Sequence, residues 1–138
     1  MYKIIETHCH LDYLKSKPLE EIIQEAQDQG IERIITISVE PDNFDSALSI
    51  SEQFENVYFT QGIHPHDAKL IKEDSLKIIQ DRAKHSKMVA VGEIGLDYHY
   101  DNSPREKQKE VFRQQLEVAI KTNKPVVIHS RDADEDMI

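Results

Sequence analysis

The chain has a single cysteine, Cys9, so no disulfide can form within it, and its chemistry suits a reducing compartment. No apolar run approaches the roughly 20 residues of a membrane span, and no charged-then-apolar leader opens the sequence. A cytoplasmic protein without membrane attachment is the expectation. Cations are also scarce: 17 Lys and Arg stand against 26 Asp and Glu, for a net charge of -9. A broad cationic surface for nucleic acid is therefore not expected, and a phosphodiester substrate would need bound cations to supply local positive charge. The sequence shows no internal repeat, low-complexity tract or composition break, so it reads as one structural unit with no obligate protein partner in evidence. At 138 residues it is shorter than the roughly 250 of a complete (β/α)8 barrel.

What is present is a regular alternation. Apolar residues make up 38% of the chain, enough to bury a core. Residues 3–7 are β-prone and lead into His8, Cys9 and His10. Pro18, Glu20 and Glu21 open a helix whose Leu19, Ile22, Ile23 and Ala26 share one face before Gly30 stops it. Further strands are predicted at 33–39, 57–62, 88–92 and 125–129. Helices fall at about 42–55, around Leu76, Ile79 and Ala83, and after Ser103. For the last of these, Ser103 and Glu106 predict an S-x-x-E capping box around Pro104 as first helical residue, with Val111, Phe112, Leu116 and Ala119 on the buried face. Five strands and four helices in this order predict right-handed βαβ crossovers and a parallel sheet, part of an α/β barrel.

In parallel α/β folds chemistry collects where the strands end. His8 and His10 follow the first predicted strand, His64 and His66 the third, Glu93 the fourth, and His129 closes the fifth. His8 and His10 are two apart on extended chain, so both point to one face while Cys9 points to the other as a small packing residue. Taken alone such a pair could be ordinary polar loop residues. Glu93 interrupts an apolar run, which calls for a cationic partner, either a metal or a basic side chain. His64 and His66 flank Pro65 and could contact substrate, support a ligand or simply build a turn. Asp97 could orient a ligand or cap a turn, and Arg131 could grip a phosphate or pair with nearby acids. His85 and His99 lack supporting context and are expected at the surface.

The stretches Thr7 to Asp12, Gly62 to His66, Gly92 to Tyr98, Ser103 to Glu106 and Val127 to Arg131 resemble the TatD family in order and spacing, over essentially the whole chain. The resemblance implies a (β/α)8 TIM barrel of the amidohydrolase-like metal-dependent hydrolase superfamily, of which residues 1–138 would be the N-terminal part, with the C-terminal strands absent. It further implies a site for divalent cations, two by expectation, with zinc, manganese, magnesium and iron left open. By the same resemblance His8 and His10 bind one metal, Glu93 is the shared, catalytic carboxylate, and His129 binds the second metal. A further histidine and a later aspartate, the latter a candidate for taking a proton from water, would lie on strands beyond the fifth; the acidic stretch 132–136 resembles a helix opening and does not replace them.

The implied activity is that of a deoxyribonuclease, expected to act as an exonuclease on DNA. Related members remove D-amino acids from tRNA, and the metal ligands do not separate the two reactions. A reading of another class is an inactive fragment or binding protein, since an incomplete barrel leaves open sheet edges.

Overall fold

The structure, a computed structural model, describes residues 2–138. Strands β1 (Ile4–Cys9), β2 (Ile31–Ile37), β3 (Val57–Gln61), β4 (Met88–Asp97) and β5 (Val126–Arg131) alternate with helices α1 (Leu19–Asp28), α2 (Phe44–Gln53), α3 (Ser75–Arg82) and α4 (Arg105–Thr122). All strand pairs are parallel and follow chain order, β1-β2-β3-β4-β5. Each helix thus carries the chain back to start the next strand, and the result is a half-barrel with two open edges.

Helices pack on the outer face of the sheet. Under α2, α3 and α4 the core holds Phe44, Phe59, Ile63, Ile79, Met88, Val91, Ile94, Val111 and Val118. Under α1, Ile23 meets Leu11, Ile34 and Val57. Each fully buried large side chain of this kind contributes about 1.5–3 kcal/mol. Helix α1 starts after Pro18, carries Glu20 and Glu21 in its first turn, where the helix dipole favours acids, and is followed by Gly30 at φ +92°. Helix α4 is stopped by Asn123 in the left-handed conformation.

Two expectations are corrected and a third is refined. The capping box does not form: Pro104 is the N-cap of α4 and not its first helical residue, and no side chain caps the helix there. Ser103 is turned away and buried, where its Oγ accepts from the Lys69 amide (3.1 Å) and donates to the His66 carbonyl (2.8 Å). Its hydroxyl ties two loops together. Second, β4 does not end at Gly92 but runs five residues further to Asp97, and β5 continues past His129 to Arg131. Glu93 and His129 therefore lie within strands. The reason is close approach: Gly95 pairs with His129, and a Cβ on Gly95 would lie 1.9 Å from the His129 carbonyl oxygen. Glycine is what lets β5 run alongside the second half of β4. Third, His85 is at the surface but only partly exposed, its ring edge-on to Phe59 and its Nε2 3.3 Å from the Glu52 carboxylate.

Candidate metal centre

Strands β1 and β4 are separated by β2 and β3, which in a flat sheet would put them about 14 Å apart. Curvature removes that distance. His8 Nε2 lies 3.3 Å from Glu93 Oε2. His8, His10 and Glu93 each offer a ligand atom within 4.8 Å of the others, and so do His64, Glu93 and His129. Glu93 belongs to both groups and is 8% exposed. Among the described residues its ionic partners are all imidazoles, His8, His64 and His129, so the basic side chain weighed as an alternative partner is not there.

Hydrogen-bond partners assign the imidazole protons. The Nδ1–H of His10 donates to the Ile37 carbonyl (3.0 Å), which leaves Nε2 with its lone pair. His129 donates from Nε2 to Asp97 Oδ2 (2.9 Å), and its Nδ1 faces Glu93 Oε1 at 3.3 Å. Each ring is thereby left with one nitrogen carrying a lone pair. His64 differs: its Nδ1 accepts the His66 amide (3.1 Å), so the proton sits on Nε2, which points at Glu93 Oε1 from 3.9 Å. Burial, reinforced by neighbouring His129 and His66, pushes the His64 imidazole down to about 3, so it is neutral near pH 7. A neutral Nε2–H aimed at the centre is a donor.

Asp97, at the end of β4 and fully buried, bonds both to two imidazoles and to the turn that follows it. Oδ2 accepts from His129 and from His66 Nε2, each at 2.9 Å, while Oδ1 accepts the backbone amides of His99 (3.1 Å) and Tyr100 (3.0 Å) in the following turn. Burial alone would raise its pKa, but the Tyr100 amide and the His129 and His66 bonds outweigh it and hold the carboxyl well below the usual range. His66 is thus tied to the centre through Asp97. Arg131 is not at the centre: it is exposed, with its guanidinium 5.0 Å from the Tyr100 ring centroid. His99 is exposed and paired with Asp132, and Asp136 pairs with Lys109 and Tyr98, so these acids of the 132–136 stretch are engaged elsewhere. Cys9 packs toward the α1 side with Sγ near the Ile35 carbonyl, and burial, with Glu6 and Asp12 nearby, pushes its thiol up to about 11. It is no thiolate ligand.

Sequence reading missed Ser103 as a loop tie, and with it Gln108 and Gln115, which are both fully buried on α4. A signal for the glutamines existed: at seven-residue spacing they alternate with Val111 and Val118 on the core face, and a buried amide must find partners.

Lone-pair nitrogens on His10 and His129, the adjoining His8 and a buried carboxylate with no Lys or Arg partner among the described residues form a donor set that fits a divalent cation. The TatD related DNase family model matches residues 5–138. An uncharacterised metal-dependent hydrolase of Bacillus subtilis, YabD, is 40% identical over 136 residues, covering 98% of this chain and 53% of that protein. A 3'-5' ssDNA/RNA exonuclease TatD from Shigella flexneri is 30% identical over 120 residues, covering 87% of this chain and 46% of its own. Among solved structures, the TatD homologue YjjV of Escherichia coli K12 superposes with a TM-score of 0.86 at 34% identity, over 95% of this chain and 52% of that one. The chain spans about half the length of these relatives. On the match across 5–138, together with the half-barrel and its converging histidines, the chain belongs to the TatD family of metal-dependent hydrolases.

Proposed function

We propose that this chain is the N-terminal part of a single TatD-type barrel domain and contributes to hydrolysis of phosphodiester bonds in DNA, by exonuclease action, with two divalent cations. His8, His10 and Glu93 would hold one cation, and Glu93 and His129 would contribute to a second. The observation that carries this reading is the Glu93 carboxylate, buried between two histidine groups with no Lys or Arg among the described residues to neutralise it. The relative's name as an ssDNA/RNA exonuclease supports a nucleic-acid substrate. The acidic chain gives the same direction, since a polyanion needs cations to approach it. When bound, such cations polarise water and the phosphoryl group and offset charge on the oxygens.

The chain's own residues have separable tasks. Asp97 holds His129 in the tautomer that leaves Nδ1 free, and the Ile37 carbonyl does the same for Nε2 of His10. His64 presents a neutral Nε2–H toward the centre, suited to a phosphoryl oxygen. Tyr100 and Arg131, packed together beside His66, offer a polar, cationic rim for the phosphates of a bound strand. The test, on a complete protein that contains this chain, is release of nucleotides from end-labelled single-stranded DNA in the presence of manganese or zinc. Hydrolysis should stop with chelator and in Glu93→Ala; activity unchanged in Glu93→Ala would remove the centre, and metal binding without any DNA hydrolysis would remove the substrate.

A further inference from the structure

We propose that Gln108 and Gln115 of α4 are positioning residues that hold the ligand-bearing strand ends of the metal centre in place. The inference rests on the metal-centre reading above for its consequence, and on hydrogen bonds for its geometry. Gln108 Oε1 accepts the Asp97 amide (2.8 Å), and its Nε2 donates to the Asp97 carbonyl (3.0 Å) and the Ser103 carbonyl (2.8 Å). Gln115 Oε1 accepts the Ile63 amide (2.7 Å), and its Nε2 donates to the Ile63 carbonyl (3.1 Å). Each side-chain amide satisfies both backbone groups of one residue. That is the pair of bonds a neighbouring strand would make, supplied here from a helix.

The two glutamines are two helical turns apart on one face, about 10 Å along the axis, so α4 grips the chain just past β3 and the end of β4 at once. What they grip is one bond from the centre. Asp97 carries the carboxylate that orients His129 and His66. Ile63 precedes His64. Ser103, held through its carbonyl by Gln108, holds the His66 carbonyl through its hydroxyl. A role in packing alone would be better served by leucine, which needs no partners in a site this dry. Only an amide of this length supplies an acceptor and two donors together. Glutamate would turn an oxygen on two carbonyls, and methionine would fill the space but leave the backbone groups unpaired.

The experiment compares Gln108→Met and Gln115→Met with Val118→Ala, a core truncation on the same helix that removes no hydrogen bond to a strand end. Two readouts are taken below every unfolding midpoint: the imidazole 15N shifts of His64, His66 and His129 in metal-free protein, and the zinc affinity by competition with a chelating dye. Gln108→Met should mix the tautomers of His129 and His66 and weaken zinc binding 10- to 100-fold; Gln115→Met should act on the His64 signals, and Val118→Ala should change neither readout. Wild-type shifts and affinity in a folded Gln108→Met protein would overturn the proposal. If the wild type bound no zinc while the tautomers still moved as expected, the positioning role would stand and the metal reading would fall. Gln108→Asn, which keeps the amide but is one methylene too short to reach both residues, takes the same two readouts, with the same overturning result, if Gln108→Met does not fold.

Discussion

Replacing Asp97 with asparagine changes one oxygen to an amide nitrogen at a carboxylate that accepts four hydrogen bonds and donates none. Only an ionised carboxylate can receive all four donors. If the new NH2 faces the imidazoles, His129 must accept through Nε2, so its proton moves to Nδ1, the atom that faces Glu93. A ligand is then lost. Changes to such supporting groups cost 10- to 100-fold in metal affinity, or about 1.4–2.7 kcal/mol. If the NH2 faces the turn instead, the His99 and Tyr100 amides lose their acceptor. In that second orientation two charge-assisted bonds of about 1.5–3 kcal/mol each disappear, so the metal-free protein should lose about 3–6 kcal/mol; in the first the imidazole bonds persist as weaker neutral ones and the loss is smaller. Zinc competition titration and urea unfolding of Asp97→Asn measure the two effects. A variant that binds zinc and unfolds like the wild type would refute the account of Asp97.

The metal-free protein should lose stability steadily as pH falls below 6.5. An unfolded His64 takes up a proton near its ordinary 6.5, whereas the folded one resists until about 3, so its contribution is complete above 6.5 and declines by up to about 1.4 kcal/mol per pH unit below it. Asp97, whose folded carboxyl is held low, adds to the loss only below about its ordinary 3.8. Urea midpoints at pH 7, 6 and 5 should show the slope, flatter in His64→Gln; equal slopes would refute it. Gly95→Ala should destabilise by more than about 3 kcal/mol, because its Cβ would meet the His129 carbonyl at 1.9 Å and backbone cannot yield as a side chain can. An urea midpoint within error of wild type would show that β5 can move aside.

The order of strands and helices was legible because apolar periodicity switches cleanly between them, and glycine and proline mark several of the breaks. His8, His10, Glu93 and His129 were legible as a group because parallel strands gather their ends. Strand lengths were not. Glu93 and the two glycines beside it look like a terminator in one dimension, yet those glycines are what admit β5 as a neighbour. Ser103 showed the correct residues for a cap at the correct spacing, but tertiary partners at Lys69 and His66 compete for its hydroxyl and win. Such competition between a local motif and a distant loop leaves no mark in the local pattern. Arg131 was not placeable from sequence for a related reason: its strand continues to it, and the guanidinium lies over the Tyr100 ring.

The contact between His8 and Glu93 joins the first strand to the fourth across the hollow of the arc. Strand β1 is otherwise anchored along one side only, to β2, with Ile4 and Ile5 about half exposed. A cation shared by His8, His10 and Glu93 would act as a brace across the span, fastening the least protected border of the sheet to its interior. Loading the protein with zinc should therefore slow amide hydrogen exchange along residues 4–9, far more than in the α3 region, and a chelator should reverse it.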